Sequence, residues 1–258
     1  MESKSNYMLR ISGVNKKFEN NDEIQSQIDV LEDISFDINE NEILSILGPS
    51  GCGKTTLLKI MAGLLKTDEG EIKDKNITKG MVFQEDALLP WFNVEHNVEI
   101  GLLIQGEAKA IRKQKTKEML HKVGLDGFEK FYPYQLSGGM KKRVSIARSL
   151  VMDSRLILMD EPFGALDITT KYGILDDLRE MQKKNCFSIC MVTHDIEEAI
   201  YLSDRILILS RDKNEPSRIL KVLDIPKTDD WSRSSHEFIE IRDFLTGIID
   251  NKDGGTDD

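Results

Sequence analysis

Residues 42–64 constrain the fold more than any other stretch of this chain. Residues 42–47 (EILSIL) form a near-continuous apolar run of the kind a strand buried on both faces requires. The run stops at Gly48-Pro49-Ser50-Gly51-Cys52-Gly53-Lys54-Thr55-Thr56, after which Leu57, Leu58, Ile60, Met61 and Leu64 recur at helical spacing. Strand, glycine loop and helix in that order build a cradle for a polyphosphate. Glycines let successive backbone N–H groups point inward where side chains would block the approach or positive φ would be costly. The helix opening near Lys54 turns its unpaired N–H groups and its dipole toward the same anion. The stretch from Gly48 to Thr55 matches GxxxxGK[ST], in which Lys54 bridges the β- and γ-phosphates and the Thr55 hydroxyl ligates Mg²⁺. Thr56 can donate to a more remote phosphate. The loop alone does not separate kinases, GTPases and ATPases.

The rest of the chain repeats the strand–helix alternation. Residues 34–38 alternate apolar and polar; residues 155–160 (RLILMD) and 187–193 (FSICMVT) are further apolar runs, with a helical stretch over 168–184 between them. That order predicts an α/β fold with a parallel sheet. Asp160 ends its run at the carboxyl end of a parallel strand, where such sheets place ligands, and is placed to hold Mg²⁺. Glu161, the next residue, can orient or deprotonate an attacking water, which tilts the chemistry toward hydrolysis. Residues 94–151 carry no strong strand pattern, and residues 107–123 read as an exposed helix with Ile111, Met119, Leu120 and Val123 on its apolar side. Residues 20–29 read as a hairpin loop and residues 251–258 as a frayed tail.

Leu136-Ser137-Gly138-Gly139-Met140 opens a further helix with a serine cap and two glycines, a second anion-binding end that one nucleotide does not need. Here the sequence resembles the ATP-binding-cassette ATPases, whose signature segment in one subunit covers the γ-phosphate held by the phosphate loop of the other. The order of elements agrees over residues 18–195. Phe18 stands where the family stacks an aromatic on adenine, and Gln84 stands at the Q-loop, as a catalytic residue and Mg²⁺ ligand. Ala165-Leu166-Asp167 resembles the D-loop, and Thr193-His194-Asp195 ends a strand with the switch histidine. Met140 and Lys142 replace the family's glutamines. Met140 and the run from Phe83 to Trp91 (FQEDALLPW) resemble the branch that imports nitrate, sulfonates and taurine.

The resemblance implies a P-loop NTPase fold with a RecA-like parallel-sheet core, an antiparallel β subdomain and an inserted α-helical subdomain. It predicts a single ATPase domain over 1–258, with a nucleotide-binding core at 1–90 and 152–225, a helical subdomain at 91–151 and a C-terminal extension at 226–258. It also implies ATP and Mg²⁺ as cofactors, with Pro49, Ser50, Gly51, Cys52, Gly53, Ser137, Gly138, Gly139 and Asp167 around the nucleotide. The implied partners are a second copy of the chain, integral-membrane permease subunits docked near Gln84 to Trp91 and, indirectly, an extracytoplasmic substrate-binding protein. The expected location is the cytoplasmic face of the membrane. An exporter subunit and a soluble cassette ATPase stand as alternatives.

Composition agrees with these expectations. The 35 basic and 45 acidic residues give a net charge of −10, which argues against nucleic acid as the partner. No apolar run approaches the roughly 20 residues of a membrane span, no secretory signal is read at the N-terminus, and three cysteines do not make a disulfide scaffold. Cys186 and Cys190 are expected to pack in a strand. Cys52, in the phosphate loop, is expected to be a reactive thiolate that ATP protects from alkylation.

Overall fold

A computed structural model describes residues 7–19, 27–210, 215–227 and 231–253. In chain order its elements are β1 (Tyr7–Glu19), β2 (Gln27–Asn39), β3 (Ile43–Leu47), α1 (Lys54–Met61), β4 (Glu69–Asp74), β5 (Lys79–Val82), α2 (Val94–Ile104), α3 (Lys109–Lys122) and α4 (Gly138–Leu150). There follow β6 (Leu156–Asp160), α5 (Ile168–Asn185), β7 (Ser188–Thr193), α6 (Ile196–Leu202), β8 (Arg205–Ser210), β9 (Arg218–Asp224) and α7 (His236–Asp253). The chain divides into two compact units, Met1–Asn76 with Cys190–Asp258, and Ile77–Ile189, so that β7 begins in one and ends in the other.

In the first unit β2, β1 and β4 form an antiparallel sheet in that order. The 13-residue β1 escapes a period-two reading because its pairing with β2 is interrupted by register shifts, which move side chains off strict alternation. Strand β2 absorbs residues 27–29 of the predicted hairpin loop; residues 20–26 lie outside the described residues. Strand β3, buried at every position, pairs in parallel with β8, and β8 pairs antiparallel with β9. Helix α7 closes this core: Phe238 and Leu245 are fully buried with Leu47, Ile200, Ile206 and Ile208. Residues 251–253 continue α7, against the expected fraying, and residues 254–258 lie outside the described residues. Helix α1 is shorter than the apolar spacing suggested: Gly63 takes φ +74 and Leu64 is exposed.

In the second unit β5 and β6 pair in parallel, with Val82 opposite Met159. The helical run α2–α4 accounts for the absence of strand pattern over 94–151. Helix α3 buries Thr116 and Leu120, whereas Ile111, assigned to its apolar side, is exposed. Cys186 is not a strand residue: it is exposed and ends α5 with φ +53, while Cys190 is buried in β7 as expected.

Candidate functional site

The first unit carries the phosphate loop. Gly53 is the N-cap of α1 with φ +89, and a Cβ there would lie 2.9 Å from both Leu31 Cδ2 and Val30 Cγ1. At Gly48 a Cβ would lie 2.8 Å from Cys52 Sγ and from the Leu209 carbonyl oxygen. Both positions therefore require glycine for the loop to close. Lys54 is buried, and its Nζ donates to the Gly48 and Pro49 carbonyls at 2.8 and 2.9 Å, which holds the ammonium against the loop backbone. Ser50 and Gly51 are exposed, and Pro49, Thr55 and Thr56 are half-buried. This is a cradle of bare backbone with a fixed cation, chemically suited to a polyphosphate. Cys52 corrects one expectation: its thiol is fully buried, so it is not an accessible target for alkylation.

Phe18, the penultimate residue of β1, has an exposed ring 5.4 Å from Lys16 Nζ. His194 follows β7 and is exposed. The backbone on both sides of it is tied in a closed circuit. Thr193 Oγ1 donates to Glu198 Oε2 and accepts from the Asp195 N–H, while Asp195 Oδ1 accepts from the Glu198 N–H, each at 3.0 Å. Glu198 was not singled out from the sequence, and Thr193 was read there only as the residue before the histidine. The Asp195-x-x-Glu198 spacing ahead of a short helix was the available signal.

The second unit carries the remaining motifs. Because β5 and β6 are parallel with Val82 opposite Met159, Gln84 and the pair Asp160–Glu161 leave neighbouring strands at the same, carboxyl end. Asp160 is buried and Gln84 exposed. Glu161 adopts φ +39, a left-handed conformation that is strained for a residue with a Cβ.

Ser137 caps α4 by accepting from the Met140 N–H at 3.3 Å and is exposed, as is Gly138. Gly139 differs from them: it is buried, and a Cβ there would lie 2.5 Å from Thr170 Cγ2. Its bareness lets α4 approach α5. Asp167 is the exposed N-cap of α5, accepting from the Thr170 N–H at 3.0 Å, and that backbone bond holds its carboxyl below the ordinary range. The segment after Gln84 is anchored by Asn97, which accepts from the Leu89 N–H and donates to the Leu89 and Phe92 carbonyls, leaving Trp91 68% exposed.

A glycine loop with its lysine, an Asp–Glu pair at the carboxyl end of a parallel strand and a second, serine-capped helix start define a P-loop protein that binds and hydrolyses ATP. The chain belongs to the ABC transporter family, whose model matches residues 31–164. An uncharacterized ABC transporter ATP-binding protein of Methanocaldococcus jannaschii is 41% identical over 248 residues, covering 93% of this chain and 91% of that protein. The aliphatic sulfonates import ATP-binding protein SsuB of Bacillus cereus is 43% identical over 241 residues, covering 91% and 92%. The taurine import ATP-binding protein TauB of Yersinia pseudotuberculosis is 38% identical over 257 residues, covering 94% and 97%. Among solved structures, the dimeric post-hydrolysis state of the ATP-binding cassette MJ0796 bound to ADP and Pi is 30% identical, with TM-score 0.73 over 86% of this chain and 100% of that one. The fold is that of the P-loop NTPases, and the chain is the ATPase of an ABC transporter. No helix among the described residues is long and apolar enough to cross a membrane.

Proposed function

We propose that this chain powers import of a small anion such as nitrate, a sulfonate or taurine, as a head-to-tail dimer that encloses two ATP molecules and drives a separate permease from the cytoplasmic face of the membrane. The observation that carries the reading is the exposed, serine-capped start of α4. Its cap and N–H groups are a second anion site besides the phosphate loop, and a twofold dimer gives that site the γ-phosphate of the partner's nucleotide. Importer relatives that match more than 90% of the chain support the direction of transport.

In this reading Phe18 stacks on the adenine, and the loop from Gly48 to Thr56 binds the phosphates, with Lys54 on the β- and γ-phosphates. Glu161 takes the proton of the attacking water, His194 contacts the γ-phosphate, and Gln84 orients the water. Ser137, Gly138 and Asp167 face the partner subunit. Gly139 stands behind them and permits the close approach of α5. The hydroxyl of Thr55, the carboxylate of Asp160 and the side-chain oxygen of Gln84 are hard donors of the kind Mg²⁺ prefers, so these three would hold that ion. When bound it neutralises charge on the phosphates. The exposed segment ending at Trp91 receives the permease, and an extracytoplasmic binding protein delivers the anion to that permease.

The test is light scattering on purified Glu161→Gln with and without ATP. The expected result is a dimer only with ATP, lost again in Glu161→Gln/Ser137→Ala; a monomer under all conditions, including co-expression with a permease, would overturn the shared-site reading.

A further inference from the structure

Lys142, which stands where the resemblance leads us to expect glutamine, has a specific set of partners in the structure. Lys142 lies in the second turn of α4, with its side chain 4% exposed. Its Nζ donates to the Phe83 and Gln84 carbonyls at 3.2 and 3.3 Å and pairs with Asp86 Oδ1 at 2.9 Å. Farther along the same helix, Arg148 donates to the Asp86 carbonyl at 3.1 Å and to the Ala87 carbonyl at 2.8 Å. Four of the five carbonyls from Phe83 to Ala87, together with the Asp86 carboxylate, are therefore held by two cations of one helix. Ala87 is kept at φ +45, a conformation that persists in a residue with a Cβ only where the surroundings impose it.

We propose that Lys142 is a positioning residue for Gln84: its ion pair with Asp86 fixes the loop after β5 to α4, so that Gln84 and the Ser137 cap move as one body. The inference rests on the reading of Gln84 as part of the hydrolytic machinery. The physical requirement is charge. A lysine reaches both carbonyls and the carboxylate at once, whereas glutamine at this position would leave the Asp86 carboxylate without its cation. Asparagine at 86 would in turn strand a buried ammonium, and removing either partner of such a pair costs more than removing both. The partners of Lys142 are the Phe83 and Gln84 carbonyls and the Asp86 carboxylate, so its loss is expected to act through the placement of Gln84 rather than through capture of the nucleotide.

The experiment is a double-mutant cycle on the full chain with Lys142→Gln, Asp86→Asn and the pair together, reading kcat, KM for ATP and melting temperature, with Gln84→Ala alongside. Each single variant is expected to lower kcat about tenfold with KM within about twofold, and the neutral pair to return most of the loss, because the two sites are coupled. If Asp86→Asn does not fold, Lys142→Gln and the neutral pair decide. An unchanged kcat in folded Lys142→Gln, or losses that multiply in the pair, would overturn the positioning role. A melting temperature that falls while kcat per folded molecule holds would identify a purely structural pair and also overturn it. Full turnover in Gln84→Ala would instead remove the role of Gln84 on which the inference depends. An impaired Gln84→Ala beside an unaffected Lys142→Gln would sink the inference and leave that role standing.

Discussion

Glu161 offers a sharp separation of stability from catalysis. Its φ of +39 places a residue with a Cβ in the left-handed region, which costs roughly 1–2 kcal/mol relative to a residue without one. Glu161→Ala and Glu161→Gly both remove the carboxylate, so whatever that group contacts cancels in the comparison. What remains is the Cβ. Glycine recovers the conformational penalty and gives back about 0.4–1 kcal/mol through its greater freedom in the unfolded chain. The glycine variant should therefore be more stable than the alanine variant by about 0.8 kcal/mol, a gap of roughly 2 °C in melting temperature for a chain of this size. Asp160, one residue earlier, lies in β6 and is not among the described residues with positive φ, so the order should reverse there. At that strand position glycine should lose to alanine by about 0.5–1 kcal/mol. The assay is thermal unfolding of the four variants without nucleotide, since bound ATP would add a ligand contribution of its own. Hydrolysis should fall about 10²–10⁴-fold in both Glu161 variants, the usual contribution of a general base, whichever melts higher. An alanine variant at 161 as stable as the glycine variant would refute the argument that backbone strain is stored at this residue.

Three further outcomes are expected. Gly139→Ala should cost about 1–3 kcal/mol by overpacking against the Thr170 methyl, and Gly139→Ala/Thr170→Ser, which deletes that methyl, should recover much of it in thermal melts. Ser137→Ala should lose about 1 kcal/mol with the cap on the Met140 N–H, read by denaturant unfolding of the nucleotide-free protein. Asp68 accepts from Lys16 Nζ and from the Lys17 N–H, bonds that hold its carboxyl below the ordinary range. Its contribution to stability is therefore complete above the unfolded value near about 4 and is lost as pH falls below it. Melts across the acid range should show the parent losing more stability than Asp68→Asn, and equal losses would show that this carboxylate is not involved.

Much of the site was legible because its demands are local. The phosphate-loop motif is contiguous, with a left-handed Gly53 and then Lys54 at the helix start, so Gly48, Gly53 and Lys54 are readable without a fold, whereas the collisions of a Cβ at these glycines with Leu209, Leu31 and Val30 are not. The same holds for the apolar runs that became β3, β6 and β7, which are buried at every position and show no alternation to misread. Strand β1 was not legible in this way, because its register shifts and its lysines break the period. Cys52 was misjudged for a related reason. Its place in the loop favours a thiolate, but the thiol is fully buried in the fold, and burial decides whether a reagent can reach it.

Lys142, Asp86 and Arg148 illustrate the remaining gap. In the sequence Lys142 is a departure without a reason, 56 residues from Asp86, and no periodicity connects them. Folding brings α4 against the loop after β5 and converts the substitution into an ion pair at 2.9 Å. Gly139 likewise reads as part of a ligand loop, and only the approach of Thr170 shows that its missing side chain serves packing between helices. The sequence by itself determined the phosphate cradle, the buried runs that became β3, β6 and β7 and the class of chemistry, since these follow from patterns carried by adjacent residues. The tertiary structure alone decided which cations hold the loop around Gln84, because Lys142 and Arg148 meet that loop only when α4 packs on it, and it alone showed which thiol is sealed and which residue bears strain, since burial and φ are properties of the folded chain.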